Sequence, residues 1–190
     1  KNSTKIENHL LYEKIEDFKP SISYFLRKEP LGRKYLRFLR RAKYANNIFL
    51  RKFYERRRAS LGYKHNIEVF EKTRIGKGFY LGHPGSITIN PAATLGEFVC
   101  IHKGATIGVE NRGRKKGVPT IGNCVWIGIN AMVFGGISIW NDVLISPGSV
   151  VNCDVPDHSV VYGNPAVIKS KKHATEGYIS SEAYFTFFND

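Results

Sequence analysis

From Val69 onward, single aliphatic residues recur at a fixed short interval. They occupy positions 69, 75 and 81, then 89, 95, 101 and 107, then 121, 127, 133, 139, 145 and 151. Each step is six residues, apart from two extra between Leu81 and Ile89 and eight extra between Ile107 and Ile121. An amphipathic helix needs apolar positions roughly every 3.6 residues, and a sandwich needs turn signals roughly every 8 to 12. A fixed short period instead marks a solenoid, in which each repeat buries its apolar residue against the next. The hexapeptide predicts a mainly β fold, a parallel β-helix in which every repeat makes one short strand with its aliphatic residue inward. The small residue after it (Gly76, Gly82, Gly96 and Gly108) lets the chain turn. Three repeats close a triangular coil of about 18 residues, and coils stack about 4.8 Å apart, so residues 69–151 hold between four and five coils. Insertions must loop outward, so "VENRGRKKGVP" predicts a protruding basic loop at about 109–119.

Upstream, from about Glu7 to Leu61, the spacing is helical. "LLYEKIEDF" begins the pattern, Pro20, Pro30 and Gly32 interrupt it, and "RKYLRFLRRAKYANNIFLRKFYERRRASLG" resumes it. In the last piece Tyr35, Leu36, Leu39 and Lys43, then Phe49, Leu50 and Phe53, fall near i, i+3, i+4 spacing. The spacing predicts an amphipathic helix with a basic outer face. The chain thus divides into an α-helical region over 1–66, a β-helix over 67–168 and a tail over 169–190. The ends of such a stack expose unpaired strand edges. The N-terminal helices are expected to cap one end and "DVPDHSVVYGNPAVIKSKK" the other. The aromatic "HATEGYISSEAYFTFFND" reads either as a docking tail or as a partly disordered one.

Charge adds a second feature. The net charge is +13, and between Arg27 and Arg58 stand 13 Lys or Arg against two acids, Glu29 and Glu55. Such a cluster attracts polyanions, phosphorylated ligands or an anionic membrane surface, or is simply a solvated helical face. Three cysteines, Cys100, Cys124 and Cys153, are too few and too widely spaced for a disulfide framework or a zinc site. The uncharged run Thr120–Asn141 carries the six-residue repeat with several Gly and Asn, which argues against a membrane span. No signal peptide is visible, so a cytoplasmic location is expected, with a peripheral position on the inner face of the membrane open to the basic helices. Neither a metal-ligand spacing nor a phosphate-binding glycine motif is present, and no nucleic-acid partner is expected.

The stretches "HPGSITINPAATLG", "WIGINAMVFGGISI", "PGSVV" and "DVPDHSVVYGNPAVI", with the long loop before "PTIG", resemble the hexapeptide-repeat acyltransferases, which are left-handed parallel β-helices. Within them the chain is most similar to serine acetyltransferases and their relatives in polysaccharide biosynthesis, over about Ile67 to Ile168. The resemblance implies the left hand of the coil, acetyl-CoA as acyl donor and His83 as the general base. An imidazole suits that task because its unperturbed pKa of about 6.5 keeps the neutral base populated. Glu68 stands fifteen residues before His83, where the family carries an aspartate that orients the base. His102, on the following coil, is a second candidate or a groove-lining side chain. The resemblance further places CoA against Val109, Ile129 and Pro147. Arg112, Arg114, Lys115, Lys116, Lys169, Lys171 and Lys172 are then available to its phosphates, and the site lies between subunits of a homotrimer.

Three positions depart from the serine acetyltransferase pattern. Gly82 stands where the family has Asp, and Gly117 and Val118 where it has an Arg-His pair. A free amino acid calls for charged partners, so these departures point to a sugar hydroxyl as acceptor, with Tyr80, Phe98 and Trp140 as stacking candidates or ordinary surface residues. The expected activity is acetyl-CoA-dependent O-acetylation of a polysaccharide or its precursor. The alternatives are serine O-acetylation, N-acetylation of an amino-sugar, and a non-catalytic scaffold that binds a polyanion.

Overall fold

The structure, a computed structural model, describes residues 29–180, 185, 187 and 188. The chain divides between Pro30 and Leu31 into two units, the second running from Leu31 to Asp190. The helical pattern of "LLYEKIEDF" and the break at Pro20 lie outside the described residues.

The basic stretch forms two helices, α1 (Leu31–Tyr44) and α2 (Ile48–His65), and not the single helix that its spacing predicts. Asn47 divides them: its backbone is extended and its side-chain oxygen accepts from the N–H groups of Phe49 (2.8 Å) and Leu50 (3.2 Å). This is an N-cap, which starts a new helix. Helix α1 buries Tyr35, Leu36, Phe38, Leu39 and Ala42 along one stripe. Helix α2 turns Tyr54, Arg58, Leu61 and Gly62 inward, so Phe49, Leu50 and Phe53 point to solvent, with Phe49 80% exposed. Asn66, in the left-handed conformation, ends α2 by bonding the Gly62 carbonyl, and the chain passes into the first strand.

The expected β-solenoid follows, in about five turns. Its first face stacks β1 (Ile67–Glu68), β4 (Ile87–Ile89), β7 (Thr106–Gly108), β10 (Met132–Phe134) and β13 (Val150–Val151). The second stacks β2 (Arg74–Ile75), β5 (Thr94–Leu95), β8 (Thr120–Ile121) and β11 (Ser138–Ile139). The third stacks β3 (Tyr80–Gly82), β6 (Cys100–His102), β9 (Val125–Ile127), β12 (Val143–Ile145), β14 (Ser159–Tyr162) and β15 (Val167–Ser170). All pairings are parallel except β14 with β15. Of the periodic aliphatic positions, Ile75 is half-buried and the others are buried. A second inward position lies two residues earlier on each strand, filled by residues such as Ile87, Val99, Ala105, Val125 and Ala131. That is strand alternation within the hexapeptide.

Both ends are closed. Tyr35, Leu36 and Leu39 of α1 join the same core as Ile67 and Leu81. The antiparallel turn from β14 to β15 brings Ala166 and Ile168 against that core. The tail then returns along the corner between the second and third faces. Asp142, fully buried there, accepts from Ala174 N (2.9 Å), Thr175 N (2.8 Å) and Thr175 Oγ1 (2.7 Å). Ile179, Phe187 and Phe188 pack with Cys124 and Phe98. The loop after β7 is a short antiparallel turn, closed by Glu110 N to Gly117 O and Gly117 N to Glu110 O, both 2.9 Å. It is pinned back onto the coil: Lys115 Nζ donates to Asn152 O, and Gly136 N donates to Lys115 O.

Candidate active site

The chain leaves the third face at Gly82 and turns at His83, whose backbone is left-handed (φ 50°). The two surplus residues between Leu81 and Ile89 lie in this corner, His83-Pro84-Gly85-Ser86, where the next coil needs only Lys103-Gly104. Successive corners are stitched by backbone bonds: Gly104 N to Gly85 O (3.0 Å), Asn130 N to Lys103 O (3.0 Å) and Gly148 N to Ile129 O (2.8 Å). His83, Ile129 and Pro147 therefore share one edge of the prism.

Beside that edge runs a row of rings. His102 pairs in register with Gly82, and its ring fills the space that a side chain at 82 would take. A Cβ added to Gly82 would lie 2.5 Å from His102 Cε1. The His102 ring centroid is 5.7 Å from that of His83 and 4.7 Å from that of Trp126, and Tyr178 of the tail stands 5.0 Å beyond Trp126. His102 Nε2 also lies 3.5 Å from Cys100 Sγ. Burial, reinforced by the neighbouring His83, holds the His102 pKa below its usual value. Burial pushes the Cys100 thiol up to about 12, so it remains a neutral, weak hydrogen-bonding partner.

The other candidates lie elsewhere. Glu68 is exposed on the first face, one coil before His83, in register with Thr88. No hydrogen bond or ion pair joins it to His83 among the described residues. Val109 begins the loop at the corner between the first and second faces. Lys169 is exposed on β15, five strands from β3 in the same sheet, a separation of about 24 Å at about 4.8 Å per strand. Gly117 and Val118 form the returning side of the loop. Phe98 is taken up by the tail, 5.7 Å from the Phe187 ring. Trp140 is exposed at the corner between the second and third faces, and Tyr80 is exposed on β3. Trp126 and Tyr178 went unread in the sequence. The signal for Trp126 is its outward place on β9 opposite Cys100, which emerges only once the loop insertion has been removed from the count.

No family model matches the chain. Serine acetyltransferases do align with it: that of Synechococcus elongatus is 35% identical over 99 residues (52% of this chain, 41% of the relative), and that of Helicobacter pylori strain 26695 is 34% identical over 100 residues (53% and 58%). The chain spans about half the length of these curated relatives. Among solved structures, the serine acetyltransferase of Neisseria gonorrhoeae in complex with serine superposes with a TM-score of 0.61 at 26% identity, over 88% of this chain and 70% of the other. A serine acetyltransferase in complex with CoA superposes with a TM-score of 0.60 at 23% identity, over 71% and 55%, a likeness of fold. This is the hexapeptide-repeat acyltransferase fold. The chain is homologous to serine acetyltransferases over the aligned half.

Within this fold of left-handed coils, the shared edge offers backbone groups that the coil itself does not use. The Ile129 carbonyl is bonded to Gly148 N, but the Ile129 N–H and the Pro147 carbonyl make no hydrogen bond among the described residues. One donor and one acceptor along an edge suit the amides of a pantetheine arm. The departures from the serine acetyltransferase pattern also acquire a structural setting. The His102 ring lies over Gly82, where an added Cβ would meet it at 2.5 Å.

Proposed function

We propose that the protein is an acetyl-CoA-dependent O-acetyltransferase of the serine acetyltransferase type, with His83 as general base. The observation that supports this most is the exposed imidazole of His83 at the start of the edge that also carries Ile129 and Pro147. His83 takes the proton of the acceptor hydroxyl while that oxygen attacks the thioester carbonyl. The carbon–sulfur bond breaks, the acetyl group passes to oxygen, and the proton leaves with the sulfur as free CoA. Ile129 and Pro147 hold the pantetheine arm. Lys169 and the loop cations Arg112, Arg114 and Lys116 provide positive charge for its phosphates.

L-Serine is the acceptor that the relatives support, and serine O-acetylation takes precedence over the sugar acetylation expected from the sequence. The second reading, an uncharged sugar hydroxyl, keeps one specific support: Gly82, Gly117 and Val118 offer no charge to an amino acid. A homotrimer, with each site between two protomers, is part of the proposal, since one chain leaves Val109 at a different edge from His83. Its direct test is sedimentation mass.

Thioester consumption, followed as free CoA with a thiol reagent, tests the activity. Wild type and His83→Ala are compared with L-serine and with sugar or polysaccharide acceptors. Turnover that falls by about three orders of magnitude in the variant supports both chemistry and base. Turnover confined to a carbohydrate selects the second reading, and full turnover in His83→Ala removes His83 as the base.

A further inference from the structure

A general base needs a fixed orientation, because misplacement by about 1 Å can cost about a hundredfold in rate. His83 is exposed, and its ring makes no hydrogen bond among the described residues. Glu68 does not reach it. The ring that does is His102, and three features fix His102 in turn: the empty space over Gly82, the Cys100 sulfur at 3.5 Å, and the Trp126 ring at 4.7 Å.

We infer that His102, and not Glu68, is the positioning residue for His83, and that residue 82 is glycine to make room for the His102 ring. This rests on the reading of His83 as base. His102 acts through packing and not through charge. Its depressed pKa keeps it uncharged, so it does not oppose the positive charge that His83 gains. Two consequences separate this from a general structural role. First, an aromatic residue without ring nitrogens should serve in its place. Second, a methyl group at 82 should act as removal of the ring does, because a Cβ there meets His102 at 2.5 Å. Substitutions at two positions that disturb one contact are not additive.

The experiment is steady-state turnover of acetyl-CoA with whichever of L-serine or a methyl glucoside the wild type accepts. Variants are His83→Ala, Glu68→Gln, His102→Ala, His102→Phe, Gly82→Ala and the Gly82→Ala/His102→Ala double. His102→Ala should lower kcat by about ten- to a hundredfold, with the KM for acetyl-CoA unchanged. His102→Phe should restore kcat to within about threefold and Glu68→Gln should stay within the same range, while the double variant should be no worse than His102→Ala. A Glu68→Gln loss larger than that of His102→Ala overturns the inference, as do failure of His102→Phe to rescue and additive losses in the double. Full activity in His83→Ala would instead strike the base assignment itself. Imidazole ¹⁵N–¹H spectra give a readout independent of turnover. The His83 ring signals should shift in His102→Ala, return in His102→Phe and hold in Glu68→Gln; unmoved signals in His102→Ala overturn the inference.

Discussion

The hydroxyl of Tyr35 makes two hydrogen bonds to one residue of the first coil, Val69: it donates to the carbonyl at 2.9 Å and accepts from the N–H at 3.2 Å. A phenol thus takes the place of the strand that would otherwise cover this edge. Arg58 of α2 supports it, donating to the same hydroxyl (3.3 Å) and to the Val69 carbonyl (3.2 Å) while paired with Glu71 at 2.6 Å. Tyr35→Phe leaves the Val69 N–H buried and unpaired, and should lower stability by about 1–3 kcal/mol in urea unfolding. Burial raises the Tyr35 pKa above its ordinary 10. A raised folded pKa means that the contribution is whole below pH 10 and is lost as pH rises through the folded value. Tyr35→Phe should therefore narrow the stability gap between pH 9 and pH 11 relative to wild type.

The tail is held by Asp142. Its buried carboxylate accepts the tail bonds from Ala174 and Thr175 and lies 2.7 Å from His158 Nδ1. Asp142→Ala leaves several donors without a partner and should cost about 3 kcal/mol or more, while Thr175→Val, which removes one hydroxyl bond, should cost about 1 kcal/mol. Melting curves give the first comparison. Limited trypsin digestion gives the second, since a tail released from Asp142 exposes the bonds after Lys169 and Lys171. Equal digestion rates in wild type and Asp142→Ala would mean that the carboxylate does not hold the tail.

That both ends are capped was legible in the sequence; the contacts of Tyr35 and Asp142 were not. The solenoid itself was legible, because one buried aliphatic residue per six is a local signal repeated along half the chain. The corner of His83 was legible for the same reason, as a two-residue surplus in an otherwise regular count. Three features were not. Asp142 and Thr175 lie 33 residues apart, and the sequence leaves a docking tail and a partly disordered one equally open. The row His102–Trp126–Tyr178 depends on register across an eight-residue insertion and on that same tail. In α2 two spacings compete: Phe49 and Phe53 fit one stripe, Tyr54, Arg58 and Leu61 another. Packing against α1 and the first coil selected the less apolar one, stacking Tyr54 with Phe38 at 6.3 Å.

The cysteines bear on how activity is measured. Burial pushes the Cys100 and Cys124 thiols up to about 12, with the charges of Asp142 and Glu97 adding to the effect at Cys124. Thiolate is the reactive form, so both should be nearly inert to a disulfide reagent at pH 8. Native protein should show a single fast thiol, Cys153, which is half-buried, and all three after unfolding. Cys153→Ser should then give a quiet background for the free-CoA assay. Fast reaction of more than one thiol in the native protein would contradict the burial of Cys100 and Cys124.

The outward face of α2 leads to the last prediction. At about 100° per residue, Phe49, Phe53 and Tyr63 fall on one arc with Lys52, Arg56, Arg57 and Lys64. Phe49, Phe53 and Tyr63 are 80%, 53% and 93% exposed. The one acid of the helix, Glu55, lies off that arc, 3.9 Å from Arg51. Aromatic rings interleaved with cations suit an anionic lipid surface: the rings enter the interface while each cation near it contributes about 1 kcal/mol. A second copy of the same face would be repelled by its like charge. Among the described residues no helix is long and apolar enough to cross a membrane. The full chain should sediment with vesicles of mixed phosphatidylcholine and phosphatidylglycerol, and not with phosphatidylcholine alone. Arg56→Glu/Arg57→Glu should weaken that binding by about a hundredfold or more, and Phe49→Ala/Phe53→Ala by about tenfold or more. Loss in the charge variant with none in the aromatic one would reassign the face to a soluble polyanion, with salt-sensitive binding to heparin as the check. Failure of the wild-type chain to bind anionic vesicles would remove the membrane from the account.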